Sequence, residues 1–82
     1  MKRDHLLVTA ILRLLEKSDQ PFMTWQQIRT SIAGDDEIKQ DLVTHHLWLL
    51  IDRGLIDTYN GDRVRLTWDG HEVISPPTNL FD

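Results

Sequence analysis

The chain has 82 residues and no cysteine, and its nine lysines and arginines face thirteen aspartates and glutamates, a net charge of −4. That length holds one small domain, and the lack of cysteine excludes disulfide staples, thiolate metal sites and thiol nucleophiles. The acidic balance runs against the usual DNA-binding surface, whose cations neutralise phosphates, although bases focused on one face still permit DNA binding.

Met1-Lys2-Arg3-Asp4-His5 is charged and leads directly into an amphipathic pattern, unlike a signal peptide. No run approaches the roughly 20 apolar residues of a membrane span. A cytoplasmic protein with no membrane partner is therefore expected. Leu6, Leu7, Ala10, Ile11, Leu14 and Leu15 recur at spacings of three and four, which predicts a helix over residues 4–17 with Asp4 as its cap and this set facing the core. Ser18-Asp19-Gln20-Pro21 ends it. Phe22 and Met23 read as a short apolar link. Thr24 then stands at capping-box spacing from Gln27, and Trp25, Ile28 and Ile32 predict a short second helix ending near Ala33-Gly34. Ile38, Leu42, Val43, Leu47, Leu50 and Ile51 predict a long third helix over residues 36–53, with Gly54 after its end.

The period then changes from 3.6 to 2. Leu55-Ile56-Asp57-Thr58-Tyr59 and Arg63-Val64-Arg65-Leu66-Thr67-Trp68 read as strands joined at Asn60-Gly61, two residues that tolerate positive φ. A last helical turn begins at Asp69, its expected cap, and stops before Pro76-Pro77. The expected domain spans residues 1–75, followed by a flexible tail over 76–82. Three helices followed by a two-stranded hairpin is an α+β order, that of a winged helix-turn-helix, with the third helix as recognition helix and the hairpin as wing.

Two segments carry a family resemblance. Val43-Thr44-His45-His46-Leu47-Trp48-Leu49-Leu50-Ile51-Asp52-Arg53-Gly54-Leu55-Ile56 resembles the recognition-helix segment of bacterial winged-helix repressors. Leu66-Thr67-Trp68-Asp69-Gly70-His71-Glu72 resembles their Leu-Thr-x-x-Gly segment at the exit of the wing. Together with the opening Met1-Lys2-Arg3-Asp4, these look most like DUF2513, a family of small bacterial and phage proteins, over residues 1–74. The resemblance implies the winged-helix fold and a regulatory role. The family extends its last helix, which Pro76-Pro77 cut short here; in related repressors a terminal helix makes the dimer.

If the third helix enters a major groove, its outer face presents Lys39, Gln40, Thr44, His45 and Trp48, with Gln40 suited to adenine and Lys39 to guanine or phosphate. Arg63 and Arg65 alternate with Val64 and Leu66, so both leave one face of the wing toward phosphates or the minor groove, or one pairs with Asp57 or Asp62. Lys2, Arg3, Arg13, Lys17 and Arg29 are scattered bases that add backbone contacts in that reading. Against it, residues 35–53 hold five acids and two bases, and Trp48 stands where the repressors often have a cation. Trp48 fits a protein interface or stacking on a base, or else packs under the wing or against Trp25. His46 falls on the core stripe with Val43, Leu47 and Leu50, as a structural histidine bonded to a backbone carbonyl. No His-x-x-x-His pair, glycine-rich phosphate loop or nucleophile motif is present, so no metal, cofactor or enzyme is expected. Double-stranded DNA is thus the first candidate partner. A protein bound through the Trp48 face is the alternative, and a homodimer burying Trp48 or Leu80-Phe81 is a third reading.

Overall fold

The computed structural model describes residues 4–74. Lys2, Arg3, Pro76-Pro77, the Leu80-Phe81 segment and the expected tail lie outside the described residues. Helix α1, His5–Lys17, is capped by the Asp4 carboxylate, which accepts from the amides of Leu6 and Leu7 at 2.9 and 3.3 Å. Its buried face is Leu7, Ile11, Leu12 and Leu15. Leu6, expected inside, is 83% exposed, and Ala10 is exposed as well. Apolar residues cover about two-thirds of this helix's circumference, so periodicity located the stripe only to within one position, and Leu12 takes the place of Leu6.

Strand β1, Met23–Thr24, occupies what reads in sequence as a link. Two residues are too few to display alternation. Helix α2, Trp25–Ala33, begins at the expected capping box: the Gln27 amide donates to Thr24 Oγ1 at 3.1 Å, and the Thr24 amide donates to Gln27 Oε1 at 2.9 Å. Helix α3, Glu37–Arg53, starts at Asp36, whose carboxylate accepts from the Lys39 amide at 3.1 Å, and ends at Gly54 in the left-handed region. Strands β2, Ile56–Tyr59, and β3, Arg63–Leu66, form the expected hairpin. Tyr59 pairs with Arg63 across the turn, where Asn60 and Gly61 take φ of 50° and 89°. Met23 pairs with Val64, so β1 joins the hairpin and the strand order is β1-β3-β2.

Helix α4, Trp68–Ile74, follows at once. Thr67, not Asp69, serves its start: Thr67 Oγ1 accepts from the Gly70 amide at 3.1 Å and donates to the Gly54 carbonyl at 2.6 Å. The Thr67 amide donates to the Leu55 carbonyl at 3.1 Å. A Cβ on Gly70 would collide with the Leu55 carbonyl oxygen and lie 2.8 Å from Leu66 Cδ2. The Leu-Thr-x-x-Gly spacing thus has a local physical cause. One hydroxyl links the helix start to the turn after α3, and the missing side chain lets α4 approach that turn.

The described fold is α+β, with four helices and a three-stranded antiparallel sheet, where three helices and two strands were expected. The arrangement is compatible with a winged helix. The core joins the α1 face to Ile28, Val43, Leu47, Leu50, Ile56, Val64 and Leu66. No described helix is long and apolar enough to cross a membrane.

Candidate interaction surface on the third helix

The buried residues of α3 are Val43, His46, Leu47 and Leu50, the four expected on its core stripe. At 3.6 residues per turn, the opposite side is occupied by Ile38, Asp41, His45, Trp48 and Asp52, which fall within about 80° of the circumference. Ile38 is 83% exposed, and Trp48 is 54% exposed. Asp41 and Asp52 are exposed between and beside them, and exposed Glu37 borders the same face. The only cations of α3, Lys39 and Arg53, lie about 100° or more around the helix from the centre of this stripe. The exposed face therefore carries two apolar anchors and three carboxylates, and its one further member is His45.

The five α3 residues picked out in sequence divide among three surroundings. Lys39 is exposed, off the acidic stripe. Gln40 and Thr44 turn toward α2. The Gln40 side-chain amide donates to the Gly34 carbonyl in the turn between the helices, and Thr44 Oγ1 donates to the Gln40 carbonyl at 3.1 Å. Arg29 of α2 donates to Thr44 Oγ1 at 3.3 Å and to Gln26 Oε1 at 3.2 Å. Gln40 and Arg29 are thus engaged in joining α2 to α3. His45 is half-buried, its ring edge-on to His46 at 5.6 Å between centroids.

Trp48 stands at the border of the two helices. Its ring meets Trp25 at 5.1 Å and 60°, an edge contact. The Trp25 indole N–H in turn donates to Thr58 Oγ1 of β2 at 3.3 Å. A half-exposed ring is thereby held by a second ring pinned to the sheet. Packing against Trp25 and exposure to solvent, treated as alternatives in sequence, hold together.

On the wing, Arg63 and Arg65 both leave the exposed side of β3, while Val64 and Leu66 are buried. Each has a partner. The Arg63 guanidinium lies 4.5 Å from the Phe22 ring centroid, and Phe22 also meets Tyr59 edge-on at 6.1 Å. Arg65 pairs with Asp57 at 3.4 Å, both side chains about half exposed. Ile38, Asp41 and Asp52 were not singled out as site residues. The signal that would have found them is the helical wheel drawn from the exposed side, where they align with Trp48. No protein-family profile, curated protein or solved structure matches this chain.

Proposed function

We propose that the chain is a small winged-helix regulatory module that works by binding a protein through the exposed face of α3, in the cytoplasm of a bacterium or in a phage-encoded setting, with no catalytic chemistry of its own. The observation that carries this reading is the composition of that face. Glu37, Asp41 and Asp52 surround Trp48 and Ile38, while Lys39 and Arg53 lie to the side. A recognition helix in a major groove sits between two phosphate backbones, and three carboxylates there meet repulsion where binding needs cations. Two exposed apolar side chains beside carboxylates suit a protein partner better than a phosphate backbone, and a half-exposed Trp is a frequent energetic anchor in a protein interface. The element order and the recognition-helix and Leu-Thr-x-x-Gly segments support the winged-helix part of the reading, and the likeness to DUF2513 supports its bacterial or phage setting.

The test is fluorescence anisotropy of labelled random-sequence duplex DNA with the purified protein at two salt concentrations. No binding at low salt is expected. Binding that weakens steeply with salt would overturn the reading, because that slope measures phosphates neutralised. A second reading, DNA binding through the wing, is favoured by the exposure of Arg63 and Arg65 on one side of β3. In that case the salt-dependent binding disappears in the Arg63→Ala, Arg65→Ala double variant and survives Trp48→Ala.

A further inference from the structure

We infer that the partner seated on α3 is a basic amphipathic helix, one that sets lysines or arginines within its contact stripe against Asp41 and Asp52 and apolar residues against Ile38 and Trp48. The inference rests on the protein-binding reading above and adds the chemistry of the partner. Ile38, Asp41, His45, Trp48 and Asp52 follow one another at spacings of three, four, three and four. That is the spacing of a helix-pairing seam, here with polar side chains at three of its five positions. At 1.5 Å per residue the seam runs about 21 Å, two heptads, which matches a short helix of the partner. Ile38 lies in the first turn of α3 and Trp48 in the fourth, so the apolar anchors stand about 15 Å apart along it.

Charge selects the class of helix. Asp41 follows Ile38 by three residues and Asp52 follows Trp48 by four, so each anchor has a carboxylate beside it on the helix surface. Glu37 adds a third at the start. Lysines or arginines within the partner's contact stripe meet Asp41 and Asp52. A cation beside Trp48 also gains the attraction of the indole face, most strongly where water is excluded. The Trp48 ring needs little ordering on binding, since Trp25, itself bonded to Thr58, already packs against it. A second copy of this chain does not fit, because two such faces bring like charges together in a protein of net charge −4. Anionic lipid and nucleic acid are repelled for the same reason.

The experiment is calorimetric titration of the full chain with a synthetic two-heptad peptide that has leucine at the seam positions set against Ile38 and Trp48 and lysine at the other seam positions. Two controls accompany it, a peptide of the same composition in scrambled order and one with glutamate in place of lysine. Binding of the basic amphipathic peptide is expected, at least about tenfold tighter than the scrambled one, with none detectable for the acidic one. Trp48→Ala, and separately the pair Asp41→Asn with Asp52→Asn, each weaken it by about tenfold or more. These positions are exposed, and Trp48→Phe, which keeps a ring at the site, retains most of the affinity. Equal binding of the scrambled peptide, no binding at all, or affinity unchanged in every variant would overturn the inference. Absence of peptide binding together with absence of DNA binding removes the helical partner and leaves the protein-binding reading standing. Salt-dependent DNA binding removes the reading itself.

Discussion

His46 is fully buried, and both of its ring nitrogens are occupied. The Leu42 carbonyl, 2.8 Å from Nδ1, only accepts, so Nδ1 carries the proton and donates. Nε2 is then free to accept from the Asp4 amide at 2.9 Å. The carbonyl partner was legible in the sequence, because it lies one turn back on the same helix. The Asp4 amide was not, since a contact between residues 42 apart leaves no trace in local spacing. His46→Leu keeps the bulk and strands the Asp4 amide, while the Leu42 carbonyl keeps its helical bond, at an expected cost of roughly 1–3 kcal/mol. Urea denaturation measures it, and an unchanged midpoint would show that these bonds contribute nothing. Gly70 makes a sharper case. Alanine is the better helix former by about 1 kcal/mol, yet Gly70→Ala is expected to destabilise by about 1–3 kcal/mol through overpacking against Leu55 and Leu66. A thermal melt decides the sign, and a raised melting temperature would refute the close approach.

Among the elements, helices were read most securely where caps and period agreed. The Thr24–Gln27 box fixed the start of α2, and all four core positions of α3 followed from its period. Period fails where it outlasts the body it packs on. Ile38 keeps the apolar spacing of α3 but is left exposed in the first turn, where spacing alone does not set it apart as a site residue. β1 escaped notice for a different reason: its identity lies in its partner, β3, and not in its own two residues. The wing offers a test at this scale. Both members of the Arg65–Asp57 pair are half exposed, so Asp57→Asn is expected to change stability by less than about 1 kcal/mol. A larger loss on denaturation would mean that the pair organises the hairpin. Trp25→Phe, by contrast, removes the indole donor to Thr58 while keeping a ring against Trp48, and is expected to cost about 0.5–1.5 kcal/mol. Unaltered stability in the denaturation curve would argue that the bond to the sheet is not formed.

For the whole molecule, the acidic surface and the exposed Trp48 make opposite demands. Burying Trp48 favours association, and a net charge of −4 opposes association with itself. We expect sedimentation equilibrium at low salt to give the mass of a single chain; a stable dimer would show that apolar contact outweighs repulsion. The α+β order of helices followed by a hairpin was legible because it rests on long elements, whereas the sign of the α3 face depended on its rotation about its own axis, which only packing determines. Thr67 adds a mechanical consequence. Its amide and hydroxyl join the wing exit to the backbone on either side of the Gly54–Leu55 junction, and Gly70 lets α4 rest against the same turn. Helix and hairpin are thereby coupled at their shared corner like the arms of a welded bracket. A ligand that touches both arms meets an angle already set, so adaptation falls to the ligand, and slackening that corner would cost recognition without altering any residue that makes contact.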